Sequence, residues 1–375
     1  MKKNKSNPAA SLPTSPFDEV ALRDVLVGAT LLGAGGGGPF ALGEQLLGEL
    51  LAKTPVIDVV SVRDVPDDAW MAVSAGVGSP TAAASGFPFD AATIAFRALE
   101  AVRGAPFDLV LPGEVGAGNS ILPMTVCASR GLPLVDASGA DRAMPTLDVS
   151  TYAAHGLPLS PVLVANGDLS IRFDAPDATT ADATLRGIIS GGAFREDAGV
   201  AFWSMTGATM KPVAVAGTLS RARAVGRALR EARARERDPV AAVAKLLRAR
   251  ELFRGEIVDV AEDTAGGFDL GVVTLRQGKR TLRIYNQNEN LFAWDGARTS
   301  PVALSPDLIC FITSDGAPFS NAEAADVQKA GSQVVVLGVA SNKAGRARSI
   351  VDAYLALMRP LGYGGPYVPL ERLAP

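Results

Sequence analysis

"FDLVLPGEVGAGNSILPMTVCASRGLPLVDAS", residues 107–138, decides the fold of this chain. An apolar run over 107–114 is typical of a buried strand, the residues from 119 to 131 have a helical pattern, and a second short apolar run covers 132–138. This succession predicts a βαβ unit with parallel strands. Because ligands gather at the carboxyl ends of such strands, polar residues there are functional candidates.

The same alternation continues on both sides of this stretch. Apolar spacing predicts two helices between residues 18 and 51, strands over 55–62 and 70–80, and a helix over 90–104. A hairpin over 162–173 and helices over 180–192 and 220–252 follow. We therefore predict an α/β fold with an N-terminal three-layer domain over 18–250, whose mainly parallel sheet has its core within 18–165.

The sequence pattern changes after residue 253, where short strand-like runs alternate with glycine or polar turns. Evenly spaced strands of this kind predict a smaller β-barrel-like C-terminal domain over 251–375, and we expect its end, from about residue 350, to pack back on the α/β domain. Residues 1–17 are basic and lack the apolar segment of a signal peptide, so we predict a disordered leader.

Composition excludes several classes of function. The chain has 375 residues with a net charge of −3, which argues against a nucleic-acid partner. No run of apolar residues is long enough for a membrane span. The two cysteines, Cys127 and Cys310, form no disulfide or metal pattern, so we expect a cytoplasmic protein. The single histidine, His155, cannot build a multi-histidine zinc site, which leaves carboxylates as the expected acids and bases.

Polar side chains follow two successive strands of the predicted sheet. Glu114, between glycines after the first strand, has no evident packing role, whereas Asn119 can be explained as the N-cap of the next helix. Asp136, Asp141 and Arg142 follow the second strand, where a local Asp–Arg pair that braces the loop is the alternative interpretation. Carboxyl ends of neighbouring parallel strands meet at one edge, so we expect the two clusters to converge on one site.

Two further segments are candidates for ligand contact. "GAGGGGP" (33–39) is either a structural turn or a backbone cradle for a ligand, and its helical flank disfavours a dinucleotide fingerprint. "IYNQNENLFAW" (284–294) contains more polar residues than a hairpin turn needs, and carboxamides can pair with the edge of a cyclic amide. The predicted ligand-contacting residues are Gly35, Gly36, Gly37, Gly38, Gln287, Asn288 and Glu289.

The order and spacing of six motifs resemble those of the S-methyl thiohydantoin desulfurase family. The motifs are "GAGGGGP", "GEVGAGNSILPM", "DASGADRAMPTLDVSTY", "YNQNENLFAW", "PDLICFI" and "RPLGYGGPYVPL". The resemblance implies an α/β domain, a β-barrel-like domain, and removal of methanethiol from an S-methylated thiohydantoin ring by water during ergothioneine breakdown. The chain departs from the usual family pattern at Ser138 and Thr146, where acids are common, and in "VGSPTAAASGFPFD" (77–90). A changed substrate is therefore left open.

The resemblance and the residues together predict a hydrolase that acts on a small five-membered cyclic amide. We expect Glu114 or Asp136 to be the base, and Arg142 and Asn119 to orient or polarise the substrate. We expect Asp141, glycines 35–38 and residues 287–289 to bind the substrate. The amides of the glycines would bind a propionate-like tail. No cofactor is expected.

Three alternatives stay open. A divalent metal could be bound by Glu114, Asp136, Asp141 and His155, although their spacing fits no known ligand pattern. The chain could also be a noncatalytic subunit that binds a small ligand beside a hydantoinase. A homo-oligomer is compatible with the sequence.

Overall fold

The computed structural model describes residues 12–78, 87–167, 169–194, 197–265 and 268–373. Residues 1–11 of the predicted leader and 79–86 of the "VGSPTAAASGFPFD" segment lie outside this part of the chain. The strands of the first half are β1 (Thr14–Asp18), β2 (Val56–Val60), β3 (Trp70–Gly78), β4 (Leu109–Pro112), β5 (Leu134–Val135), β6 (Ala137–Ser138), β7 (Val162–Asn166), β8 (Leu169–Phe173), β9 (Asp197–Thr206) and β10 (Val215–Ala216).

The helices alternate with these strands much as the sequence predicts. They are α1 (Glu19–Leu32), α2 (Phe40–Leu51), α3 (Ala91–Arg103), α4 (Ala117–Arg130), α5 (Thr151–Ala154), α6 (Ala178–Ile189), α7 (Gly207–Met210), α8 (Thr218–Ala234) and α9 (Pro239–Leu247). The second half contains α10 (Ala324–Lys329), α11 (Arg348–Met358) and the strands β11 (Arg250–Ala265), β12 (Phe268–Gln277), β13 (Arg280–Gln287), β14 (Glu289–Asp295), β15 (Ala303–Leu304), β16 (Leu308–Thr313) and β17 (Gln333–Val339).

The first sheet has eight strands in the order β1-β2-β5-β4-β3-β9-β7-β8 and is mixed. Only β2, β5, β4 and β3 pair in parallel, and the outer strands are antiparallel to their neighbours. The prediction of a mainly parallel sheet therefore holds for these four central strands and not for the outer four. β7 and β8 follow each other in the sequence and pair antiparallel, and β9 lies between β7 and β3.

Both faces of this sheet are covered, which gives the predicted three layers. In β4, Leu109 and Leu111 belong to the apolar cluster on one face, whereas Val110 belongs to the cluster on the other. Burial on both sides explains why β4 is apolar at every position and not alternating. Residues 14–17 of the predicted leader form part of β1 at the edge of this sheet, so the leader prediction was wrong there.

The second large sheet is antiparallel throughout and has the order β15-β14-β13-β12-β11-β17-β16. It curls into a half-barrel, to which the predicted barrel corresponds loosely. Alternate residues of β16 and β17, among them Cys310 and Leu337, extend the apolar cluster that covers the first sheet. The two sheets thus share one core, and the predicted boundary near residue 250 stays a prediction.

α11 lies against the short 3-10 helix Leu147–Val149 and against β14. Its Tyr354 and Met358 share an apolar cluster with Val149 and Phe292. This cluster therefore contacts both the segment after β6 and the strand β14. In the part of the chain that the structure describes, no helix is long and apolar enough to cross a membrane.

Candidate functional site

A cavity lies at the carboxyl ends of β3 and β4, where the sequence predicts a ligand. It encloses about 850 Å³, its open mouth included. One wall is formed by the end of β3, the loop after β4 and the start of α4, and another by the glycine loop and the start of β14. Of the predicted site residues, the described lining contains Gly37, Gly38, Glu114, Asn119, Asn288 and Glu289.

The glycine loop 33–38 connects these two walls. Gly37 accepts hydrogen bonds at its carbonyl from the amides of Gly118 (2.9 Å) and Asn119 (3.1 Å), and its own amide donates to Glu289 Oε1 (3.3 Å). Its φ of +74° and the nearby Gly116 backbone leave no room for a side chain. A Cβ on Gly36 would overlap the Glu289 carboxyl group. The glycines therefore bring β14 close to α4.

Gly35 and Gly36 lie behind the lining and not in it. Gly35 accepts a hydrogen bond from the Asn321 amide (2.8 Å), and the side chains of Asn290 and Asn321 pack against it. Of the four glycines of the predicted cradle, only Gly37 and Gly38 line the cavity, whereas the other two pack against the second sheet.

Glu114 is buried, and both of its carboxyl oxygens accept hydrogen bonds. Oε1 accepts from Asn119 Nδ2 (2.6 Å) and Oε2 from the Met144 amide (2.7 Å). Burial raises the pKa of Glu114 above its usual range, and the two hydrogen bonds and the charges of Arg186 and Arg142 oppose that shift. The hydrogen bonds favour the carboxylate form that a general base needs.

Glu289 is also buried but has fewer donors. Oε1 accepts only the long hydrogen bond from Gly37, and Oε2 has no hydrogen-bond partner among the described residues. Burial raises the pKa of Glu289, and the negative charge of Glu114 raises it further. Besides Asp182 and Asp197, the cavity lining therefore contains two glutamates from different halves of the sequence whose environments differ, which is the usual arrangement of an acid and a base.

Asn119 orients Glu114 but does not cap α4. The N-cap of α4 is Gly116, so the predicted cap at Asn119 was wrong. Asn119 lies in the first turn, where Oδ1 accepts from the Gly76 amide (2.7 Å) and Nδ2 donates to Glu114 and to the Gly76 carbonyl (3.2 Å). It joins the end of β3 to Glu114.

The 287–289 segment is only partly in the cavity. Asn288 has a φ of +57°, and its Oδ1 accepts from the Asp269 amide (2.8 Å), which fixes the tight connection between β13 and β14. Gln287 is half-buried at the end of β13 and is not in the described lining.

The structure does not bring Asp136 or Asp141 to the described cavity lining. Asp136 accepts hydrogen bonds from the amides of Leu219 (2.9 Å) and Ser220 (3.1 Å) and from the Ser220 hydroxyl (2.5 Å), so it caps α8. Asp141 accepts from Ser341 Oγ (3.0 Å) and the Asn342 amide (3.0 Å) in the second half of the chain. Both carboxylates stabilise contacts between distant segments.

Arg142 is 1% exposed and is likewise outside the described lining. Its guanidinium donates to Ser305 Oγ (2.6 Å) and to the carbonyls of Asp307 (3.1 Å), Asn290 (2.8 Å) and Ala143 (3.1 Å). It lies 5.4 Å from the centre of the Tyr354 ring. Arg142 therefore braces this loop and does not face the cavity. Its partners are Ser305 and backbone carbonyls, and not the neighbouring aspartates that the sequence suggested.

Glu114, Asp136, Asp141 and His155 do not form the metal site that the sequence left open. Within residues 12–373, as far as they are described, no three His, Cys, Asp or Glu side chains form a cluster that could hold a metal. His155 is exposed, and its Nδ1 lies 2.8 Å from the carbonyl of Thr151 in its own helical turn.

Sequence reasoning missed the far wall of the cavity. Asp182 and Arg186 lie one turn apart on α6, a spacing common on exposed helices, yet both are buried, and burial raises the pKa of Asp182 to about 6. Trp203 has a φ of +45° next to an irregularity in the β3–β9 pairing, which sequence does not reveal. The main residues of this wall are Phe87, Leu122, Leu147, Asp182, Leu185, Arg186, Asp197, Val200, Phe202 and Trp203.

Comparisons with known proteins agree with this architecture. None of the curated proteins matches the chain. A crystal structure of a protein from Chromobacterium violaceum is similar with a TM-score of 0.81 and 28% sequence identity, over 95% of this chain and 100% of that one.

Two family models together cover nearly the whole sequence. The model described as "S-Me-THD-like, N-terminal domain" matches residues 20–171, and "S-Me-THD-like, C-terminal domain" matches 176–369. Both agree with the resemblance that the six motifs indicate. The chain therefore belongs to the S-Me-THD-like family.

Proposed function

We propose that the chain hydrolyses an S-methylated thiohydantoin, with water replacing the methylthio group to give a hydantoin and methanethiol. Family membership supports the ring class. The observation that carries the proposal is the pair of buried carboxyl groups, Glu114 and Glu289, in the lining of one cavity. Hydrolysis at the ring carbon between the two nitrogens needs a base for water and a donor for the developing charge.

The surroundings of the two groups support different roles. Glu114 has a hydrogen-bond donor at each oxygen, which favours its ionised form and the role of base. Glu289 has one long hydrogen bond, a second oxygen without a partner among the described residues, and a negative neighbour, which together favour its protonated form. Glu289 is therefore assigned as the acid.

The proposed reaction has two steps. Water attacks the ring carbon as Glu114 takes one of its protons, and the C=N electron pair moves to the ring nitrogen, which takes the proton of Glu289. The C–S bond then breaks, the sulfur leaves with the electron pair and takes the proton from Glu114, and the hydroxyl proton returns to Glu289. The products are the hydantoin and methanethiol, and both side chains regain their starting protonation states.

The proposed ring contacts come from the glycine loop and from Asn288. Gly37, Gly38 and Asn288 lie beside Glu289 and are proposed to contact the ring edge, a role that the sequence suggested for a wider set. The far wall adds apolar side chains, whose low polarity strengthens the electrostatic effect of both carboxyl groups.

The test uses the purified chain alone with an S-methyl thiohydantoin in water enriched in ¹⁸O. Free thiol is followed with a chromogenic reagent, and the hydantoin is analysed by mass spectrometry. The proposal predicts thiol and hydantoin in equal amounts, with one ¹⁸O atom in each hydantoin. Saturable binding of the ring, measured by thermal stabilisation, without any thiol release would instead identify a noncatalytic binding subunit and contradict the proposal.

A further inference from the structure

Arg142 contacts the backbone next to both carboxyl groups without lining the cavity itself. On the Glu114 side, its carbonyl accepts a hydrogen bond from the Val115 amide (3.3 Å), and the Met144 amide two residues further on donates to Glu114. On the Glu289 side, its guanidinium donates to the carbonyl of Asn290 (2.8 Å). Its Nε also donates to the carbonyl of Ala143 (3.1 Å), which belongs to the same peptide unit as the Met144 amide, so the side chain reaches both segments that carry the acids.

The other contacts of Arg142 fix the same geometry. Ser305 Oγ accepts from Arg142 and donates to the carbonyl of Asn290 (2.9 Å), and the Ser305 amide donates to Leu291 (2.7 Å). The guanidinium can make these contacts together because its donors form a rigid planar fork, which a lysine ammonium lacks.

The buried positive charge of Arg142 is not paired with a carboxylate in the part of the chain that the structure describes. It is almost fully buried, and no ion pair or carboxylate hydrogen bond of Arg142 occurs among the described residues. Carbonyl oxygens surround it instead, while its charge lowers the pKa of both Glu114 and Glu289 against the effect of burial. Arg142 therefore affects Glu114 and Glu289 in two ways. Its hydrogen bonds fix the backbone beside them, and its positive charge lowers their pKa values.

We propose that Arg142 is a positioning residue for the hydrolysis, which sets the placement of Glu114 relative to Glu289 by holding the backbone beside each of them. This inference rests on the proposed function. It differs from the role expected from the sequence, in which Arg142 orients or polarises the substrate itself.

The test compares kcat, KM and the pH dependence of methanethiol release for Arg142→Met and Arg142→Lys. Arg221→Met is the matched control, because Arg221 contacts Asp141 in the same loop (3.4 Å) but neither acid segment. Arg142→Met should lower kcat about 100-fold with a much smaller change in KM, since small displacements of catalytic groups have effects of this size. Arg221→Met should retain the wild-type kcat.

The pH profile separates charge from geometry. The other ionisable groups around the pair are Asp182 and Arg186 on α6, Asp197 on β9, Asp141, Tyr354 on α11 and Cys310 on β16. Burial raises the pKa of Tyr354 and Cys310, so both stay neutral while the glutamates titrate. Loss of the cation in Arg142→Met should move the acid limb to higher pH, whereas Arg142→Lys should keep the limb and still show a lowered kcat.

Wild-type kcat and an unmoved acid limb in a folded Arg142→Met protein would overturn the inference. If that variant does not fold, Arg142→Lys decides: lowered kcat at unchanged KM supports the inference, and wild-type kcat contradicts it. If the wild-type protein releases no methanethiol, the proposed function fails separately. ¹³C NMR titration of the two glutamates then decides the inference, because Arg142→Met should raise both pKa values and Arg221→Met should not.

Discussion

The loop after β4 and the segment 136–142 both carry carboxylates at the carboxyl ends of neighbouring strands, yet their surroundings differ. Asp136 accepts three hydrogen bonds from the start of α8, and Asp141 is bound to the segment around Ser341. Glu114 lines the cavity and shares it with Glu289, which is short of donors. A strand end thus supplies a location, and a place in the cavity lining distinguishes Glu114 from Asp136, although both carboxylates accept hydrogen bonds at each oxygen.

The difference has a physical basis. A buried carboxylate with a full set of donors contributes to folding, and one that also faces a cavity, as Glu114 does, is in addition available as a base. One that is buried without them is costly to the fold and tends to hold a proton, which is typical of catalytic groups. We therefore expect mutations in the two regions to separate activity from stability.

The largest effect is expected at Glu114. Glu114→Gln keeps the shape of the side chain but removes the base, so turnover should fall about 1000-fold, within the usual range for acid–base groups. Asp136→Asn is the matched control and should retain turnover close to wild type per folded molecule. Comparable losses of turnover in both folded variants would remove the distinction between the two regions.

A smaller effect is expected on stability at Asp136. Asp136→Ala leaves the buried Leu219 amide and the part-buried amide and hydroxyl of Ser220 without their acceptor at the start of α8, which should cost about 2 kcal/mol in the free energy of unfolding. Asp177→Ala is the control, because Asp177 caps α6 from an exposed position through the Thr180 amide (2.7 Å) and should cost less. Urea unfolding measures both, and an equal or smaller loss at Asp136 would contradict its structural role.

The smallest effect is expected for stability at Glu289. A carboxyl group whose pKa is raised by folding binds more protons in the folded state, so it destabilises the fold increasingly as pH rises from the unfolded towards the folded pKa. Glu289→Gln should therefore stabilise the protein by about 1 kcal/mol above neutral pH. The gain should vanish below the usual glutamate pKa of about 4.3. Thermal unfolding at the two pH values checks this, and a loss of stability above neutral pH would argue against a protonated Glu289.

Much of the first domain could be predicted from the sequence, because βαβ patterning is local. The apolar run of β4, the helix after it and the hairpin β7–β8 all follow from spacing and turn residues. The mixed pairing of the outer strands could not be predicted, since the pairing of β9 with β3 depends on contacts more than 100 residues apart in the sequence. β1 was missed because its residues, "TSPFD", have little strand character.

The candidate site was predictable in part for the same reason. Glu114 was selected because it has no evident packing role and Glu289 because its segment has more polar residues than a turn needs, whereas Asn119 could also be explained as a helix cap. Asp136 and Asp141 have the same sequence signature, and only the amides and hydroxyls that meet them in space distinguish them. The far wall with Asp182 and Arg186 was missed because burial of a helical ion pair depends on what packs against it.

The most direct test is the titration of Glu289 in wild-type protein and in Glu114→Gln, followed by the carboxyl stretching band in isotope-edited infrared spectra. If the two side chains share one cavity, removal of the charge of Glu114 lowers the pKa of Glu289. An unchanged pKa of Glu289 in a folded Glu114→Gln protein would show that the two carboxyl groups do not form one site.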